Sequence, residues 1–281
     1  MKIYSKYGLV FKGLRKQRGF NLTSFADLGI SPAMLCKFEN GKAMIKFDKL
    51  SLALNKMCVT LAEYENFLNN YELDIHEHLV KETIIAIIYK KYDKLVDMYN
   101  DAVELNEKVY SIALKAQYSR ISKFELELVC DYFEEIKFWR YIDLYSLYLM
   151  IDHLKPRQIS YILEGFFNQE DFTSISNSVV HNIRLAHVVS KAVLYLSCTG
   201  HKKLAQHFLN YIKSENFFHT MYTKTLLIFI EGCWNNKFAD NEKGRAEIEH
   251  ALEIFRTTSS PEIAAYYRNL YEKYESIKVM E

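Results

Sequence analysis

The residues able to do chemistry are few and scattered. All nine histidines lie beyond residue 75, and the close pair His76-x-His78 has a spacing that puts the rings on different helix faces. No metal site is expected there. Acidic pairs such as Glu134-Glu135 fall on solvated helix faces. A phosphate loop, a dinucleotide fingerprint and a nucleophile elbow are all missing. Neither an enzyme nor a cofactor is expected. The stretch whose residue types do point to chemistry is Ser31-Pro-Ala-Met-Leu-Cys-Lys-Phe-Glu-Asn-Gly-Lys42, and that chemistry is recognition. Ser31 is a good N-cap, and Pro32 falls at the first helical position, where its missing N–H costs nothing. Leu35 and Phe38 face inward, while Ala33, Met34 and Lys37 share an outward face. Asn40-Gly41 tolerates the left-handed backbone that ends such a helix. A short helix with a small, mixed, non-acidic outer face suits a DNA major groove.

Elements must hold this helix in place. Helix 1 is expected from Tyr4 to Arg18, with Val10, Phe11 and Leu14 inward and Lys12, Lys16 and Arg18 outward. A short helix follows at Thr23–Leu28, with Phe25 and Ala26 inward, and Gly29 turns the chain. Two further helices are expected at Phe47–Met57 and Leu61–Asn70, the last capped by Thr60. Short helices joined by a tight glycine turn make a helix-turn-helix domain over residues 1–70.

The series Leu14-Arg15, Phe25-Ala26-Asp27, Ile30-Ser31, Phe38-Glu39-Asn40-Gly41-Lys42 and Leu50 to Leu61 resembles the lambda-repressor-type (XRE) fold. The resemblance implies a structural brace between Arg15 and Glu39. A bidentate pair would lock helix 1 to the recognition helix and neutralise a glutamate beside DNA. Pro32, Ala33, Met34 and Lys37, following the Ser31 cap, are then placed to reach base edges. Asn21, Thr23, Asn40, Lys42 and Lys46 are placed to contact phosphates, which position the domain without reading sequence. The centre of this face holds no Gln, Asn or Arg, so DNA shape is expected to carry much of the specificity. One such module buries too little surface for tight binding, which implies a homodimer.

Beyond a joint at Tyr71–His78, helix follows helix over residues 71–281. Expected spans are 77–91, 93–101, 104–118, 122–136, 138–153, 156–168, 174–198, 201–214, 217–236, 240–256 and 262–277. Breaks are expected at Pro156, Gly200, Ser214-Glu215-Asn216, Asn235-Asn236-Lys237 and Thr257–Pro261. Long helices with short turns suggest stacked hairpins of a tetratricopeptide-like, right-handed repeat, although consensus signatures are absent. The class expected is therefore all-α. Stacked hairpins curve, and concave grooves bind extended peptides. Trp139, Tyr145, Tyr148, Asp152, His187, Lys191, Tyr222 and Phe229 are the candidate peptide-binding residues; core filling is the competing role for each aromatic.

Across nearly the whole chain, ordered motifs resemble the Rgg (MutR/GadR) group of regulators. They include Leu14-Arg15-Lys16-x-Arg18, Leu61-x-Glu63-Tyr64, Asp131-Tyr132, Trp139-x-Tyr141, Tyr222-x-Lys224-Thr225 and Ala251-Leu252-x-Ile254-Phe255. The resemblance implies a homodimer that binds promoter DNA and responds to a short signalling peptide re-imported into the cytoplasm, with RNA polymerase as a further partner. It also implies that Phe47 stands where some members carry a dimer-contact cysteine, so no interchain disulfide is expected there. A peptide-independent dimeric repressor or activator, and a helical-repeat interaction scaffold, are the alternatives.

Composition agrees with this reading. Of 281 residues, 49% are hydrophobic and only 9 are Gly and 3 Pro, which favours long helices over a turn-rich β fold. Residues 1–70 hold 11 Lys/Arg against 5 Asp/Glu, whereas the remainder holds 25 against 30, a basic head on an acidic body. The five cysteines are odd in number and dispersed, as in a reduced cytoplasmic protein, and Cys36 and Cys58 are expected as buried thiols. No apolar run is long enough to span a membrane, and the first residues lack the pattern of a signal peptide.

Overall fold

A computed structural model describes residues 5–168, 179–214 and 220–277. The chain forms two compact units, Met1–His76 and Glu77–Glu281. Every regular element among the described residues is helical.

In the first unit, α1 (Ser5–Gln17) leads to a short 3-10 helix at Leu22–Leu28, then α2 (Pro32–Glu39), α3 (Phe47–Lys56) and α4 (Leu61–Leu68). Phe11, Phe25 and Phe38 meet at the centre, with Phe11 centroids 6.0 Å from Phe25 and 5.6 Å from Phe38. Leu14, Ile30, Leu35 and Leu54 close around them. Gly29 turns the chain in the left-handed region (φ 68°), and the Ser31 hydroxyl accepts the Met34 N–H at 3.2 Å. Gly8 lets α1 cross the end of α2, since a Cβ there would lie 1.9 Å from the Phe38 carbonyl oxygen. The Tyr64 hydroxyl ties α4 to α1 by donating to the Tyr7 carbonyl at 2.7 Å.

Three inward assignments are corrected here. Ala26 is exposed, because three residues per turn in the 3-10 segment line up Leu22, Phe25 and Leu28 on its inner side instead. Cys36 and Cys58 are exposed thiols. The inner face of α2 is taken by Leu35, Phe38 and Glu39, and Cys58 sits in the turn after α3 with φ 54°.

The second unit continues with α5 (Ile75–Ile88, which starts in the first unit), α6 (Tyr92–Glu104), α7 (Lys108–Lys115), α8 (Lys123–Glu135) and α9 (Tyr141–Met150). A 3-10 turn at Ile151–His153 precedes α10 (Pro156–Phe167), α11 (Val179–Cys198), α12 (Lys202–Ser214), α13 (Met221–Phe238), α14 (Asn241–Thr258) and α15 (Pro261–Glu275). Successive helices pack as hairpins around one continuous apolar core. Local chemistry sets many of the ends. Ser122 and Glu125 form a reciprocal capping box, and Pro156 and Pro261 open their helices at the first position. The tightest pairing joins α13 and α14, where a Cβ on Gly244 would lie 2.2 Å from the Asn236 nitrogen.

The expected break at Asn235-Asn236-Lys237 does not occur; α13 runs on to Phe238. Tertiary partners hold the two asparagines in the helix: Asn235 donates to Glu247 at 2.7 Å and Asn236 to the Tyr271 hydroxyl at 2.8 Å. The expected starts at 174 and 217, and the break at 214–216 apart from the backbone of residue 214, lie outside the described residues.

Candidate functional site

In the first unit the candidate site is the outer face of α2 and its flanks. Ser31, Pro32, Ala33, Met34, Lys37 and Asn40 are all exposed, as are Asn21, Thr23, Lys42 and Lys46. Lys37, Lys42 and Lys46 make no ion pair among the described residues. Some of the polar groups are partly committed to the backbone: Asn40 donates to the Cys36 carbonyl at 2.8 Å, and the Asn21 N–H donates to the Ser24 hydroxyl at 3.0 Å. Behind this face lies a buried ion pair. Arg15 Nε donates to Glu39 Oε1 at 2.5 Å and Nη2 to Oε2 at 2.8 Å, while Nη1 donates to the Phe20 carbonyl at 2.7 Å. The two residues are only 7% and 2% exposed, so the fork joins α1 to α2 away from water. The hydrogen bonds that Arg15 donates to Glu39 raise the Arg15 pKa further. Neutralised in this way, the Glu39 carboxylate leaves Lys37, with Lys42 and Lys46 on the flank, as the charges of this face.

In the second unit, Tyr145 and Tyr148 of α9, His187 of α11 and Tyr222 of α13 line one small cavity of about 40 Å³. Tyr266 and Tyr267 of α15, with Ile84, Ile87, Ile88 and Ile263, complete its wall. Hydroxyl pairs brace it: Tyr148 with Tyr266 at 2.5 Å, and Tyr222 with Tyr267 at 2.6 Å. Tyr145 stacks on Tyr148 with centroids 5.5 Å apart, and His187 meets Tyr222 edge-on at 5.1 Å. Burial pushes these tyrosines up in pKa, so they stay protonated. Burial pushes His187 down to about 4, so its ring is neutral near pH 7. Its Nε2 is enclosed and has no hydrogen-bond partner among the described residues.

The charges beneath the cavity answer one another. Lys191 donates to the Tyr148 carbonyl at 2.7 Å and to Asp152 Oδ1 at 3.2 Å, and Lys273 of α15 holds the other Asp152 oxygen. Burial would raise the Asp152 carboxyl, yet the two ammonium groups outweigh it and hold it below the usual carboxylate range. Burial lowers Lys191, with Asp152 opposing that shift. Thus Asp152 and Lys191 pair with each other, and neither lines this cavity.

Two further candidates do not line this cavity. Phe229 is fully buried, packed 5.6 Å from Tyr267, and lines a second small cavity with Tyr148, His187 and Lys191. Trp139 stands in another cleft, stacked on Phe133 at 5.6 Å and edge-on to Phe166 at 5.1 Å. Sequence reasoning missed Tyr266, Tyr267 and the isoleucines as walls. Adjacent tyrosines in Ala265-Tyr266-Tyr267 are a weak local signal; the hydroxyl pairs link residues 45 and 118 positions apart.

The described residues thus build an all-helical unit of packed hairpins and a separate small helical unit. Residues 89–269 match the C-terminal domain of the HTH-type transcriptional regulator Rgg, and the chain belongs to that family. It is a family of transcriptional regulators and not of enzymes. Among solved structures, the chain is similar to the SHP pheromone receptor Rgg2 of Streptococcus dysgalactiae. The TM-score is 0.76 at 16% identity, covering 95% of this chain and 99% of that one. It is similar to a protein of Listeria monocytogenes EGD-e at TM-score 0.77 and 14% identity, covering 96% and 97% of the two chains. It is also similar to PrgX in a PrgX/cCF10 complex, at TM-score 0.68 and 13% identity, covering 98% and 94%. Among the described residues no group of three or more His, Cys, Asp or Glu is placed to hold a metal, and no helix is long and apolar enough to cross a membrane.

Proposed function

We propose that the protein is a homodimeric, DNA-binding transcriptional regulator of the cytoplasm whose output is set by a short signalling peptide. The peptide reading rests on one observation: the tyrosine cavity is partly open and lined by uncharged and hydroxyl-bearing side chains, with an unpartnered His187 Nε2 at its wall. Such a pocket favours a compact uncharged group that offers a hydrogen bond, as the backbone and apolar side chains of a peptide do. The similarity to Rgg2, a pheromone receptor, and to PrgX, solved with cCF10, supports it. In this reading Tyr145, Tyr148, His187 and Tyr222 contact the peptide, and Lys191, paired with Asp152, holds the Tyr148 carbonyl.

The DNA reading rests on the exposed face of α2. Pro32, Ala33, Met34 and Lys37 take base edges, and Asn21, Thr23, Ser31, Asn40, Lys42 and Lys46 take phosphates and neighbouring backbone. Contact with RNA polymerase would follow at the promoter. The deciding experiment titrates the full chain with the synthetic product of a short reading frame next to its gene, following tyrosine fluorescence. Saturable binding lost in Tyr222→Ala is expected. Binding to the parent and to Tyr222→Ala with equal affinity would end the assignment of this pocket.

A further inference from the structure

Helix α6 presents three faces to its surroundings. Leu95, Met98 and Ala102 are buried in the core. Tyr92, Val96, Tyr99 and Val103, spaced four, three and four apart, form a second, apolar stripe. Tyr92, Val96 and Val103 are 48%, 43% and 51% exposed, and Tyr99 is half-buried. Three turns of exposed apolar helix span ~17 Å. A stripe of that length is more than the scattered single hydrophobics usual on a surface. Beside it runs an acidic ridge of Asp93, Asp97, Asp101 and Glu104, all exposed. Their carboxylates make no ion pair among the described residues.

We infer that this face is a docking surface for the amphipathic helix of another protein, one with Lys or Arg flanking its apolar stripe. The charge pattern selects that occupant. Nucleic acid and anionic lipid are repelled by four carboxylates. A second copy of the same face would set two acidic ridges side by side, since a two-fold contact pairs each patch with itself. A basic amphipathic helix instead buries its own stripe on Tyr92, Val96 and Val103 while its cations meet the ridge. At its start the face borders the tyrosine cavity, since Tyr92 lies within electrostatic reach of the wall residue Tyr266.

The test uses the full chain and two synthetic helical peptides of equal length and leucine stripe, one flanked by lysines and one by glutamates. Fluorescence anisotropy is expected to show the lysine peptide binding at least about tenfold tighter, with affinity falling as salt rises. Val96→Ser with Val103→Ser should weaken it about tenfold, and Asp97→Asn with Asp101→Asn should flatten the salt dependence. Amide exchange should slow over residues 92–104 on binding. Undiminished binding by the valine double variant would overturn the inference. So would a valine double variant that instead shifts the self-association of the full chain, because that would place a second copy on the face.

Discussion

Replacing Glu39 by Gln removes one charge from a pair that water does not reach. Arg15 then keeps its positive charge at 7% exposure with only a neutral amide opposite. Removing one partner of a buried pair typically costs about 3–5 kcal/mol, because the remaining charge is left uncompensated. The Gln oxygen still accepts from one of the two Arg15 nitrogens, and Nη1 keeps the Phe20 carbonyl. A net loss of about 3 kcal/mol is expected, which is roughly a 150-fold rise in local opening. The assay is amide hydrogen exchange of α1 and α2 in the full chain. Arg15→Met with Glu39→Leu should recover most of the loss, since apolar replacement of both partners avoids the orphaned charge. A change in Glu39→Gln of less than about 0.5 kcal/mol would refute the brace. So would a double variant as weakened as the single one, which would show that packing rather than charge pairing joins the helices.

His187, lowered to about 4 by burial, binds fewer protons folded than unfolded between that value and its ordinary 6.5. Stability is therefore whole above pH 6.5, falls as pH drops toward 4 and then levels. The full loss is about 3 kcal/mol at most, and His187→Asn should flatten this slope in urea melts. Asp152 adds a separate acid loss: held below its ordinary range by Lys191 and Lys273, it stabilises above about pH 4 and ceases to as pH falls lower. Asp152→Asn should remove that limb. Gly244→Ala should lower the melting temperature by overpacking, about 1–3 kcal/mol, although helix propensity alone would favour alanine. In DNA titrations, Lys42→Ala should weaken all sequences alike and reduce the salt slope by about 1, whereas Lys37→Ala should alter sequence preference.

Local sequence determined the helices and many of their ends. Ser31-Pro32, Thr60 with Glu63, Ser122 with Glu125 and Ser260-Pro261 each complete their own caps within a few residues, so their chemistry is readable from the chain. The Arg15–Glu39 pairing was legible only through the resemblance, because 24 residues separate the partners. The exposed, non-acidic outer face of α2 followed from helical spacing alone. Tertiary structure decided what periodicity cannot. Asn235 and Asn236 read as a turn because both residue types favour turns, yet Glu247 and Tyr271 hold them inside α13. Trp139, in the connection before α9, and Phe229 and Tyr222, both on α13, are alike as aromatic residues. Only the packing of distant helices assigns Trp139 to the Phe133 stack, Phe229 to the core and Tyr222 to the cavity. An aromatic ring gains similar energy from either environment, so the sequence names the candidates and the arrangement of their neighbours chooses among them.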